Sequence, residues 1–125
     1  MEPSFEPNES TLVALAGIAE CYTICITMRF EWDSKRNRIN QTRHNGLDFE
    51  TAARVFDDPH VVLMQDRIIE GERRWHAIGA VSAALLLVVH VYREDDVNDE
   101  EIIRIISARE ANQSERRIYI QQAAQ

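Results

Sequence analysis

The residues best equipped for chemistry in this sequence are arginines. Thirteen Arg stand beside a single Lys, Lys35. A guanidinium is always charged, and its planar fork of donors meets a phosphate or carboxylate with two hydrogen bonds at once. Arg74, Arg93, Arg104 and Arg109 lie on or beside strand-like stretches, where a stiff backbone can aim the side chain. They are the candidates for holding phosphate. The competing assignment is structural ion pairing with Glu72, Glu110 or Glu115. His44 and His76 are the titratable candidates, since imidazole changes charge near neutrality. His44 follows a basic stretch and suits either acid–base work or a helix C-cap. His76 reads as a half-buried strand residue, His90 as a hydrogen-bonded core histidine, and His60 as an exposed turn residue. Glu72 stands next to Arg73-Arg74 and is the carboxylate best placed for a role, as a reacting group or as the partner that positions Arg74.

These side chains need elements to hold them. Arg29 to Trp32 is a short strand with Phe30 and Trp32 on one face. Asp33 or Ser34 caps a polar helix running from Lys35 toward His44, and Asn45-Gly46 ends it. Asp48 caps a second helix, in which Phe49, Ala52, Ala53 and Phe56 recur at core spacing. Asp57-Asp58-Pro59 closes it. Strands follow at Val61–Met64, Glu72–Ala80, Ala83–Tyr92 and Ile102–Arg109, with a turn over Ile68–Gly71. Alternation puts Arg74, His76 and Ile78 on one face of the second of these. In the last, it sets Ser107 and Arg109 opposite Arg104. Ala83–Tyr92 is nearly all apolar, as suits a central strand. Asn112 opens a final helix with Glu115 at capping-box spacing. The order strand, helix, helix, four strands, helix predicts an α+β domain built on a small antiparallel sheet.

Composition sets outer limits. The 125 residues fit one domain, and the formal net charge is −7. That charge disfavours broad nucleic-acid binding but leaves room for a local Arg cluster. The run Glu94-Asp95-Asp96 with Asp99-Glu100-Glu101 reads as a solvated loop. Cys21 and Cys25 are the only cysteines, so the rest of the chain has no Cys-based zinc site or disulfide framework, in keeping with a reducing cytosol. No His-rich spacing suggests a metal either, and no cofactor is expected. Residues 1 to 10 are polar with Pro3 and Pro7 and read as a disordered arm. Leu12 to Met28 is apolar but interrupted by Glu20, without a basic leader, and short for a bilayer span. Residues 1 to 27 are therefore expected to be an upstream extension, or a short helix or strand lying on the domain. Membrane anchoring is the less favoured alternative.

Several ordered segments carry a resemblance. Met28-Arg-Phe-Glu-Trp-Asp-Ser-Lys35, Asn40 through His44, Ala53-Arg-Val-Phe-Asp-Asp-Pro59, Gly71-Glu72-Arg73-Arg74-Trp75, Arg104-Ile-Ile-Ser-Ala-Arg109 and Glu115-Arg116-Arg117-x-Tyr119 are similar to the BrnT toxins. The likeness covers residues 28 to 125. It departs at Arg43-His44-Asn45-Gly46, where the family reads Lys-His-Gly, and at Val91, where it often has Thr. The resemblance implies a RelE-like microbial ribonuclease fold and a cytoplasmic toxin that cuts RNA. It also implies a ribbon-helix-helix antitoxin of the BrnA type, with promoter DNA contacted only through that antitoxin. Metal-free RNA cleavage needs a base for the ribose 2′-OH, cations for the phosphorane and an acid for the leaving oxygen. His44, Glu72, Arg74 and Arg109 are the expected catalytic set; Lys35, Arg93, Arg104 and Tyr119 are expected to bind RNA. The alternative is a catalytically degenerate module that only binds the antitoxin.

Overall fold

A computed structural model describes residues 28–95, 97 and 100–123. The expectations for residues 1 to 27 lie outside them. The elements are β1 (Met28–Glu31), α1 (Ser34–Arg43), α2 (Phe49–Ala53) with a 3-10 turn at Arg54–Asp57, β2 (Val62–Ile69), β3 (Glu72–Val81), β4 (Ala84–Asp95), β5 (Glu100–Glu110) and α3 (Gln113–Ala123). The five strands form one sheet in the order β1-β5-β4-β3-β2. The α+β class and the element order agree with the sequence expectation.

Local chemistry explains most boundaries. Asp33 caps α1 by accepting the Lys35 N–H at 3.0 Å, and Asp48 caps α2 by accepting the Thr51 N–H at 2.8 Å. Asn45 and Gly46, both at positive φ, end α1, and the Gly46 N–H returns to the Gln41 carbonyl. Glu70-Gly71, also both at positive φ, form the tight turn of the β2–β3 hairpin. β2 thus runs on to Ile69 and absorbs residues read from sequence as turn. Asn112 and Glu115 complete the capping box of α3, each side chain accepting the other's backbone N–H.

Three pairings are antiparallel, but β1 runs parallel to β5, with Phe30 in register with Ile103. The sheet separates two apolar clusters. On one face Phe30, Trp32, Phe49, Val55, Ala77, Val88, Ile103 and Ile105 pack beneath α2 and the 3-10 turn. On the other, Val62, Ile78, Leu85 and Leu87 meet Ile118 and Tyr119 of α3. β1 is short, so β5 extends past it, and α1 lies along the uncovered edge. Asn40 makes that seam. It is buried, its Oδ1 accepts the Ala108 N–H at 3.0 Å, and its amide donates to the Leu47 carbonyl. Asn37 adds a second tie by accepting the Phe49 N–H.

One expectation about β5 is corrected. Val89 pairs with Ser107 but His90 pairs with Ile105, so Ile106 has no partner in the register. This bulge breaks strict alternation and re-aims the strand. Arg104, Ser107 and Arg109 consequently lie on the same face, opposite Ile103 and Ile105.

Candidate active site

Among the described residues, α3 covers one end of the sheet face that receives it. There Ile78 on β3, Leu87 on β4 and Arg109 on β5 form one cross-strand row. The next row is Met64, His76, Val89 and Ser107. Beyond it lie Arg74 on β3, Val91 on β4, Arg104 on β5 and Glu31 on β1, the last three in direct register. Val91, though beyond the apolar cluster under α3, is only 1 % exposed. Arg104 stands beside Val91 in the register, and a long cationic side chain can lie along apolar surface.

The polar groups of this face are mostly paired. His76 Nε2 lies 3.1 Å from Asp66 Oδ2. The backbone N–H of Arg67 and then the nearby His76 hold the Asp66 carboxyl below its ordinary value. Arg109 forms a two-pronged pair with Glu115 at 2.8 Å on each prong. The Arg109 hydrogen bonds outweigh the cost of partial burial and lower the Glu115 pKa, and the same pair raises that of Arg109. Arg93 donates to Glu31 at the β1 side. Arg74 differs. Its Nε is buried without a hydrogen-bond partner among the described residues. A buried, unsatisfied cationic donor is costly to leave unmade, and an incoming anion would satisfy it.

The remaining candidates are spread more widely. Glu72 is exposed at the start of β3, paired with Ile69 beside the hairpin turn and on the same alternating face as Arg74. Lys35 is exposed in the first turn of α1. His44 is the C-cap of α1; its N–H reaches the Asn40 carbonyl and its own carbonyl accepts from Leu47. Lys35 and His44 line a cavity between α1 and β5 rather than the row of Arg74. The Tyr119 hydroxyl donates to Asp58 Oδ2 at 2.6 Å, tying α3 to the turn before β2. That bond and partial burial push the phenol up to about 12.

Arg74, Arg104 and Arg109 are therefore brought to one face, together with His76 and Ser107. His76, read from sequence as a half-buried strand residue, shares the face of Arg74, as the Arg74-x-His76 spacing on a strand requires. Ser107 and Asp66 carried no such signal. His90 is fully buried on the opposite face between the rings of Phe56 and Tyr92, with centroids 4.9 Å away in each case. Its Nδ1 lies 3.3 Å from the Val88 carbonyl, but its Nε2 has no partner among the described residues, which leave the ring only half satisfied. Among the described residues no group of three or more His, Cys, Asp or Glu could hold a metal ion, and no helix is long and apolar enough to cross a membrane.

The family model described as the ribonuclease toxin, BrnT, of type II toxin-antitoxin systems matches residues 32–115. The match takes in Lys35, His44, Glu72, Arg74, Arg93, Arg104 and Arg109, and ends just before Tyr119. No curated protein matches the chain.

Proposed function

Because this chain belongs to the BrnT family of ribonuclease toxins of type II toxin–antitoxin systems, we propose that it cleaves RNA, without help from a metal ion, on the sheet face that carries Arg74, His76, Arg104 and Arg109. The carrying observation is the unpartnered, buried Nε of Arg74 on a face that also holds two further arginines and an imidazole. In this reading His76, its ring steadied by Asp66, takes the proton of the ribose 2′-OH. The 2′-oxygen bonds to phosphorus as the bond to the 5′-oxygen breaks. Arg74 and Arg109 hold the equatorial oxygens while negative charge builds on them. The leaving 5′-oxygen takes a proton from solvent at the exposed side of the face. The products are a 2′,3′-cyclic phosphate and a free 5′-OH. Arg104 and Arg93 contact flanking phosphates, Glu72 borders the same face as a second carboxylate, and the Tyr119 ring can stack on a base.

The family implies an antitoxin partner and an RNA substrate. A BrnA-type ribbon-helix-helix protein is the proposed antitoxin, promoter DNA is reached only through it, and the cytoplasm is the proposed site of action. Incubating the purified chain with RNA in EDTA and determining the end groups tests the mechanism. Cyclic phosphate ends made by the wild type and not by Arg74→Ala support it; intact RNA overturns it. The pairing of His76 with Asp66 and of Arg109 with Glu115 favours one second reading, a chain that retains antitoxin binding alone. That reading predicts a stable complex and intact RNA under every ionic condition.

A further inference from the structure

We infer that the cavity between α1 and β5 is a subsite for the RNA backbone flanking the scissile phosphate. This rests on the catalytic reading above and extends it to a second surface. The cavity has a volume of about 600 Å³, and its lining includes Lys35, Arg36, Arg43, His44, Ile106 and Ser107. α1 contains four cations, Lys35, Arg36, Arg38 and Arg43, and no acidic residue, in a chain whose formal charge is −7. Among the described residues none of Lys35, Arg36 and Arg43 has an ion-pair partner. The carboxylate in the lining, Asp33, is already occupied in capping Lys35. Unpaired cations concentrated along one wall repel each other, and a polyanion relieves that repulsion.

Continuity with the catalytic face selects RNA as the polyanion. Ser107 belongs to both places: it lies in the row of His76 and it lines the cavity. The bulge at Ile106 brings the strand's open face and its edge together at this point. An RNA strand held by Arg74 and Arg104 would pass Ser107 and continue along α1. The wall is rigid in advance, because Asn40 and Asn37 fasten α1 to Ala108, Leu47 and Phe49. A preformed basic groove that tracks a backbone is the usual device for holding single strands without base readout.

The test uses the full chain and the double variant Arg36→Ala/Arg43→Ala. Binding of a 2′-O-methylated, uncleavable RNA oligonucleotide is followed by fluorescence anisotropy across a salt series, and cleavage of the unmodified RNA is measured in parallel. Each lost phosphate contact should flatten the slope of log K against log salt by about 0.7, so the double variant should be shallower by about 1.4. Misfolding would abolish binding rather than flatten the slope, and far-UV circular dichroism separates the two. Wild-type cleavage with an unchanged slope in the variant overturns the inference alone. The same unchanged slope accompanied by weaker antitoxin binding overturns it in favour of an acidic segment of the antitoxin. A wild-type chain that neither binds nor cleaves RNA overturns the catalytic reading and the inference together.

Discussion

Arg104 and Arg109 are five positions apart on β5 and still project from the same face of the sheet. On a regular strand an odd separation sends two side chains to opposite faces. The unpaired Ile106 between them absorbs one residue and restores the match. Without the bulge, Ser107 and Arg109 would share the face of Ile103 and Ile105 under the helical layer, where a buried charge would be costly. With it, the apolar residues stay in the core and both arginines reach the face of Arg74 and His76.

Arg74→Ala should lower kcat for RNA cleavage by about 10²–10³-fold, the usual cost of losing one donor to a developing oxyanion. Arg74→Lys should recover little, since an ammonium lacks the guanidinium fork. Neither variant should be less stable than the wild type by more than about 0.5 kcal/mol, because among the described residues the Arg74 Nε has no hydrogen-bond partner for the fold to lose. Arg109→Ala should differ by lowering activity and stability together, the latter by less than about 1 kcal/mol because the Glu115 pair is partly exposed. Single-turnover kinetics and urea titration of the three variants check this.

The division of β3 was legible from sequence, since Arg74, His76 and Ile78 do alternate against Trp75 and Ala77. So were the caps at Asp48 and Asn112, because capping is decided within four residues. The parallel pairing of β1 with β5 was not legible. It joins Phe30 to Ile103 across the whole domain, and local periodicity carries no register over that distance. The bulge was hidden for a related reason. Residues 102 to 109 read Ile-Ile-Arg-Ile-Ile-Ser-Ala-Arg, in which adjacent isoleucines fit either face. The partner strand alone decides which one is left out. Asp66 was missed as the neighbour of His76 because the β2–β3 hairpin extends further than its sequence suggested.

Tyr119→Phe should reduce stability by about 1 kcal/mol, the order expected for a hydrogen bond to a partly exposed carboxylate. Phenylalanine keeps the ring, so RNA affinity should hold. The effect should depend on pH. Burial works to raise the Asp58 pKa, but hydrogen bonds from Tyr119, Ala80 and His60 outweigh it and lower the net value. The Asp58 contribution is thus full above the ordinary value of 3.8 and fades as pH falls through the lower folded value. At the alkaline end the wild type's advantage is full below the ordinary phenol value of 10.0 and fades as pH rises toward about 12. Denaturant midpoints of both proteins at several pH values give the comparison.

Gly79→Ala should cost about 1–3 kcal/mol through overpacking. A Cβ there would stand 2.7 Å from Val55 Cγ1 and 3.0 Å from the Val55 carbonyl oxygen. Val55 is fully buried in the 3-10 turn and has no room to yield. The paired variant Gly79→Ala/Val55→Ala should recover part of the loss, despite the cavity it opens, because the Cγ1 clash is gone. Thermal unfolding of the single and double variants tests the coupling.

His90 should make the fold acid-sensitive well above the carboxylate range. Burial among Phe56, Tyr92 and the sheet disfavours the imidazolium and lowers the pKa from 6.5 to about 4, against a smaller opposing effect of the Val88 carbonyl. Between those values the unfolded chain binds a proton that the folded chain refuses. Stability therefore falls as pH drops from 6.5 and levels off below about 4. A shift of this size corresponds to about 3 kcal/mol at most, a large part of a small domain's reserve. His90→Leu removes the titrating group and the unpartnered Nε2 together. Its absolute stability depends on how well leucine fills the space between the two rings, so the decisive quantity is the difference between pH 7 and pH 4.5. That difference should be about 2–3 kcal/mol smaller in His90→Leu than in the wild type, after the carboxylates common to both cancel. An equal acid loss in both proteins would show that His90 is protonated in the folded state, with a partner for Nε2 that the packing around it does not supply.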